Sequence, residues 1–307
     1  MTLHLMARPA VLGCVLVLLL GGLAGCDRRE AAAAADADGA RRYPLTGVVV
    51  AVDAPRRLLR VHHDEIPGLM PAMTMEFAVR EGDLAAAQEG RRIRATLVRR
   101  AAEFTLENVW PDDVDTTRAL GAGAAALKQD TVIRGAKAYR EVGEPAPGFV
   151  LLDQDGRVVG IERLRGRQVV LNFIYTRCPI ATMCPAATAR MVALQCAARE
   201  AGVRNFELVS ITLDPAHDTP GVLRDYAAAN GIDTANFSLL TGPEGAIRDL
   251  LTQLGVLVEG KPDERALLKH TLSTILIDAD GRIAWREDGS TWRPETFLAR
   301  LGESEKQ

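Results

Sequence analysis

Residues 169–185 read VVLNFIYTRCPIATMCP, and this stretch decides the fold of the C-terminal half of the chain. The apolar, β-branched run at 169–175 predicts a buried strand, since a short unbroken run of this kind bounded by turn residues is strand-like in length and composition. It delivers Cys178 and Cys184 to a proline-marked turn ahead of a helical pattern. Pro185 suits the first position of a helix, so the sulfur of Cys184 is expected at a helix N-terminus, where the dipole favours thiolate. Thiolate is the form that exchanges disulfides and binds soft metals.

Working outward, the downstream pattern alternates. It predicts a helix over 186–201, a strand over 206–212, and a helix over 220–230 with Thr219 as its N-cap. A short strand near 237–240, a helix near 244–254, a strand over 271–277, a turn at Asp280-Gly281, a strand over 282–285 and a closing helix from Pro294 follow. Upstream, FVLLDQDGRVVGI at 149–161 alternates around Asp155-Gly156 and predicts a hairpin. Strands and helices in this order give an α/β sheet with crossovers, and a cysteine pair after its first central strand fits a thioredoxin-like domain over 144–303.

The whole chain has 307 residues and a net charge of −3. That length predicts two cores, and no basic stripe with interleaved aromatics suggests nucleic acid as a partner. At the N-terminus, Arg8 precedes an apolar run at 10–20 that is short for a membrane span and ends in Leu23-Ala24-Gly25-Cys26. This ending resembles a bacterial lipobox. The resemblance implies a signal peptide over 1–25, lipidation of Cys26, and a mature chain anchored by lipid on the periplasmic side of the inner membrane, the side to which Asp27 also points. Residues 26–42 are alanine-rich, without a cluster from which to build a core, and read as a disordered tether. Of the five cysteines, Cys14 then leaves with the signal and Cys26 carries lipid. Cys196 lies in a helical pattern and is expected to be a small buried hydrophobe without chemistry.

From Tyr43 the texture changes to five short β-rich runs, predicting a small all-β, OB-like barrel over 43–115. Its informative segment is HHDEIPGLMPAMTMEF at 62–77. Met73 and Met75 alternate on one face of an extended segment close to His62 and His63. Thioether and imidazole together select copper(I) over harder ions. This domain resembles the periplasmic copper- and silver-binding CusF-like family, whose ligand stretch is a His, a Trp before Pro, then Met-Thr-Met. The resemblance implies ligand roles for His63, Met73 and Met75. Met70 stands where the family has its tryptophan, and the segment between His63 and Met73 is one residue shorter; Met70 either adds a sulfur or shields the metal.

Residues 116–143 lack a strand pattern and read as an interdomain linker, with a short helix around 124–139. In the second domain three features fall at strand ends in sequence order: the cysteine pair, the Asp214-Pro215-Ala216-His217-Asp218 loop, and Lys269-His270-Thr271. Two thiolates and an imidazole make a three-coordinate set suited to copper. These motifs resemble the SCO/SenC family of membrane-tethered copper chaperones. The resemblance implies that Cys178, Cys184 and His270 hold copper for delivery to the cytochrome oxidase subunit carrying the CuA-type site, with a thiol reductant keeping the pair reduced. Five residues separate the cysteines, against three in many members. The alternative is a thiol–disulfide oxidoreductase reducing a periplasmic copper protein. Redox enzymes of this fold usually place two residues between the cysteines and a cis-proline where Leu272 stands here.

Overall fold

The computed structural model describes residues 39–135, 138–259, 269–289 and 291–303; the expected signal peptide, Cys26 and most of the expected tether lie outside the described residues. The described residues belong to one compact unit. Among them no helix is long and apolar enough to cross a membrane.

Five strands form the first domain: β1 (Arg41–Asp53), β2 (Leu58–His63), β3 (Met73–Ala78), β4 (Arg92–Arg100) and β5 (Glu103–Pro111). They close into a barrel in the order β1-β2-β3-β5-β4, with β4 pairing back onto β1. Closure follows from alternation. Leu59, Val61 and His63 of β2, with Ile93, Ala95 and Leu97 of β4, turn inward around Phe77 and Leu106, while Arg60, His62 and Arg94 turn out. Register shifts at Val49/Ala51 and Arg94/Thr96 supply the bends that let so small a sheet close. Strand β1 begins inside the segment read as tether. A short helix, α1 (Glu81–Ala86), which the sequence reading did not anticipate, links β3 to β4.

The segment read as a linker with a short helix is instead occupied by a 21-residue helix, α2 (Val114–Arg134), which starts at an Asp113 cap bonded to the Thr116 N–H. Its Ala/Gly-rich sequence shows no apolar stripe, so periodicity could not reveal it. Tertiary contacts fix it: Leu127 enters the core of the second domain, and Gln253 donates to Thr131 Oγ1 at 2.9 Å.

The second domain opens with the hairpin β6 (Val150–Leu152) and β7 (Val158–Gly160). Its main sheet contains β8 (Gln168–Ile174), β9 (Phe206–Thr212), β10 (Phe237–Leu240), β13 (Ser273–Ile277) and β14 (Ile283–Asp288), in the order β10-β9-β8-β13-β14. Strands β8, β9 and β10 are parallel, and α3 (Cys184–Glu200) and α4 (Pro220–Ala229) lie between them in sequence. The remaining helices are α5 (Glu244–Gln253) and α6 (Pro294–Glu303). Every residue of β8 and β9 is buried, which explains their unbroken apolar character. This is the thioredoxin-like arrangement. The strand expected over 271–277 is broken: β12 (Lys269–His270) pairs with β11 (Val258–Glu259), and β13 starts only at Ser273. The break turns His270 off the main sheet toward the cysteines. Cys196 is exposed, correcting the expectation of burial.

Candidate metal centre

Strand β8 ends at Ile174, and the chain then turns so that Cys178 N–H bonds back to the Tyr175 carbonyl at 3.2 Å. Two carboxylates hold this turn. Asp218 accepts from the Thr176 N–H at 3.2 Å and from the hydroxyls of Thr176 and Thr212, while Asp214 pairs with Arg177 at 2.8 Å. Both acids are fully buried. The loop at 214–218 thus clamps the two residues that immediately precede Cys178, a role the sequence motif marked by position without revealing its mechanics.

The two thiols are free and buried, and they are not equivalent. Burial raises the Cys178 pKa, but hydrogen bonds from the Ile180 and Cys184 N–H groups, the Tyr175 hydroxyl and the Cys184 thiol outweigh it, and the net shift is downward. Burial pushes the Cys184 thiol up to about 12, helped by the charge on Cys178. The expectation that the helix N-terminus makes Cys184 the thiolate is therefore corrected. Cys184 is the first residue of α3, and its backbone N–H favours thiolate at both sulfurs, but at Cys184 the burial of the thiol outweighs that benefit.

His270 completes the group. Its Nδ1 lies 3.1 Å from the Thr271 carbonyl, which requires a proton on Nδ1 and leaves the Nε2 lone pair free. Nε2 is 3.8 Å from Cys184 Sγ. Burial holds the His270 pKa below its ordinary value, against the hydrogen bond to Thr271, so the ring is neutral at pH 7. Tyr175 meets it edge-on with centroids 5.9 Å apart. The Cys184 proton thus has two acceptors, the Cys178 sulfur and His270 Nε2. Among the described residues no three His, Cys, Asp or Glu side chains gather closely enough to hold a metal without movement; the Cys178 sulfur leans on the Ile180 carbonyl at 4.0 Å. The donor chemistry nevertheless fits a soft monovalent ion: two sulfurs and one neutral imidazole.

A second group lies on the barrel. In the β2–β3 register His63 faces Met73 and Val61 faces Met75, so imidazole and both thioethers share one side of the ribbon. His63 is fully buried, and its Nδ1 lies 2.7 Å from the Asp64 carbonyl. Its Nε2 has no partner. A buried, orphaned ring nitrogen beside thioethers is a donor set in want of a cation. Gly47 of β1 makes room: a side chain there would meet the His62 and His63 backbone. Met73 is 42% exposed, whereas Met75 and Met70 pack partly against the barrel core, Met70 bridging to Ile66. His62 points outward and bonds Thr74 at 3.0 Å. His217 is half-buried in the 214–218 loop.

Comparison with known proteins matches both halves. Residues 137–304 match the family model described as SCO1/SenC, and residues 42–111 match that of the copper-binding periplasmic protein CusF. Among curated relatives, the SCO1 protein homolog of Bacillus subtilis is 29% identical over 136 residues, covering 44% of this chain and 69% of the relative. Among solved structures, an SCO1/SenC family lipoprotein from Bacillus anthracis is 29% identical, with a TM-score of 0.48, covering 54% of this chain and 98% of that one. BsSco, described as a member of the Sco family of cytochrome c oxidase assembly proteins, is 23% identical with a TM-score of 0.48, covering 54% and 97%.

Proposed function

The chain belongs to the SCO1/SenC family, and from that premise we propose that it is a lipid-anchored copper chaperone, acting on the periplasmic side of the inner membrane, that delivers copper to the CuA-type site of cytochrome oxidase. The observation that carries this reading is the placement of the Cys184 thiol between the Cys178 sulfur and the free Nε2 of His270. Copper(I) arriving as cargo displaces the Cys184 proton and is held by Cys178, Cys184 and His270. The Thr271 carbonyl fixes the imidazole tautomer, and the Asp218 and Asp214 clamp fixes the turn. On the barrel, His63, Met73 and Met75 take a second copper(I), with Met70 beside them. Lipid on Cys26 keeps both domains at the membrane, and an external thiol reductant returns the cysteine pair to the dithiol. The test is copper stoichiometry of the reduced full chain, handled without air, for wild type and for variants at each set. Two copper ions per wild-type chain and one in either set of variants supports the reading; no copper on the cysteine set removes it.

The asymmetry of the two thiols favours a second reading, reduction of disulfides in the recipient. Cys178 as thiolate attacks a substrate disulfide and releases one substrate thiolate, and Cys184 then attacks the mixed disulfide, leaving a Cys178–Cys184 disulfide and a reduced substrate. Rapid turnover of a disulfide peptide by the metal-free chain, together with no copper(I) retained by the reduced cysteine set, would rank this reading first.

A further inference from the structure

The barrel is seated directly on the second domain through two glycines. Helix α1 packs on α4, and a methyl group on Gly82 would fall inside contact distance of the Gly221 carbonyl oxygen and 2.7 Å from Asp225 Oδ1. One on Gly221 would collide with the Asp83 carboxylate and lie 2.8 Å from the Asp83 backbone nitrogen. The two helix backbones therefore touch without intervening side chains, a closeness that only glycine on both sides permits. A second seam lies alongside, where Arg91 donates to the Gly156 carbonyl at 3.1 Å and Gly156 abuts Pro111 and Ala86.

Helix α4 is tied to both cysteines. Its cap, Thr219, follows Asp218, which grips Thr176 two residues before Cys178. About two turns further on, the Tyr226 hydroxyl lies 2.8 Å from Thr188 Oγ1, one turn along α3 from Cys184. We propose that the barrel is a brace for the cysteine pair: α1, seated on α4 through Gly82 and Gly221, holds the element whose Asp218 and Tyr226 positions set the Cys178 turn and the start of the Cys184 helix. Gly82, Gly221 and Tyr226 are positioning residues. The brace rests on the reading that this pair is the working site, and it couples the two domains through structure.

The test uses the reduced full chain. Alanine is a better helix former than glycine, so any adverse effect of Gly82→Ala or Gly221→Ala comes from docking. Gly245→Ala on α5, where a methyl group meets nothing within 4 Å, is the control. Copper(I) presented from a chromogenic chelator reads each site, and equilibration with a dithiol buffer reads the thiol–disulfide equilibrium of the pair. Expected for both interface variants are at least a tenfold loss of copper(I) affinity at the cysteine set, an unchanged barrel site, and a shift of tenfold or more toward the disulfide, about 30 mV; the control stays at wild type. Folded interface variants with wild-type affinity and equilibrium overturn the brace. If those variants do not fold, Asp83→Ala, which removes the α1 side chain that meets Gly221, and Tyr226→Phe, which cuts the α4–α3 link, decide together: a wild-type equilibrium in either overturns the proposal, and a tenfold shift in both upholds it. A wild-type chain that binds no copper at the cysteines sinks the chaperone reading alone, since the thiol–disulfide readout still judges the brace.

Discussion

Cys184 Sγ lies 3.8 Å from His270 Nε2, and that nitrogen is free only because His270 Nδ1 is engaged by the Thr271 carbonyl. A buried thiol facing an unprotonated imidazole is a ligand pair waiting for its proton to be exchanged for a soft cation. His270→Ala is therefore expected to lower copper(I) affinity at this set by about 100-fold or more, above the roughly 10–100-fold typical of losing an outer-shell partner. Chelator competition on the reduced chain measures it, and wild-type affinity would remove His270 from the set.

The thiol asymmetry sets the order of reaction. Cys178 is held below the ordinary thiol value and is 8% exposed, whereas Cys184 is fully buried with its pKa near 12. Between the two pKa values Cys178 is the only thiolate of the pair. Alkylation of the metal-free reduced chain at pH 8, read by mass mapping, should label Cys178 before Cys184, and Cys178→Ser should leave Cys184 about tenfold slower than Cys178 in wild type. Faster labelling at Cys184 would reverse the assignment.

These details mark what the sequence could and could not disclose. Strands β8 and β9 were legible because both faces are buried, and the thioredoxin-like order and barrel followed from alternation and turn residues. The helix-end argument named a real contribution, since the Cys184 N–H favours thiolate at both sulfurs, but burial overrides it at Cys184, and the depth of that thiol is invisible in residue spacing. Helix α2 escaped because glycines and alanines carry no apolar stripe, and the α1–α4 contact escaped because a glycine in a short helical segment reads as a breaker until its opposite glycine is seen.

Asp83 gives the interface a pH dependence. Burial raises its carboxyl pKa from 3.8 to about 6, against pairing with Arg80 and the Val109 N–H, and with the Asp225 charge adding to the rise; its Oδ1 has no partner. Below about pH 4 the proton is bound in folded and unfolded chains alike. As pH rises toward 6 the unfolded chain loses it first, so stability falls and is then flat, by about 3 kcal/mol at most at 1.36 kcal/mol per pKa unit. Asp83→Asn should raise stability at pH 7.5 by about 1–3 kcal/mol, with the gain vanishing toward pH 4. Denaturant melts at several pH values test this, and a gain independent of pH would dissociate Asp83 from it.

Asp218 satisfies one N–H and two hydroxyls from inside the protein. Asp218→Ala leaves Thr176 and Thr212 donors without a partner, an expected cost of about 2–5 kcal/mol. Asp218→Asn, retaining one acceptor oxygen, should recover part of it. The copper affinity of the cysteine set should fall in the same order, Ala more than Asn. Equal affinity in both variants and wild type would mean that the clamp serves stability alone.

The barrel site allows a separation of stability from binding. His63 is fully buried with Nε2 unpaired, and a buried nitrogen without a partner costs about 1–3 kcal/mol, against which the Nδ1 bond to Asp64 returns about 1. Replacing the ring by leucine removes both terms together, so His63→Leu should leave the metal-free chain as stable as wild type or more so, by up to about 2 kcal/mol. A ligand's loss appears only when copper is added, because copper bound to the native state alone raises stability with its concentration. The comparison is made in a Cys178→Ala, Cys184→Ala background so that only the barrel site reports. Copper(I) should raise the melting temperature of that parent and leave the His63→Leu variant unmoved, and Met73→Leu and Met75→Leu should fall between. If His63→Leu instead destabilises the metal-free chain by 2 kcal/mol or more while copper still stabilises it, His63 is a packing residue, and the thioethers hold copper without it.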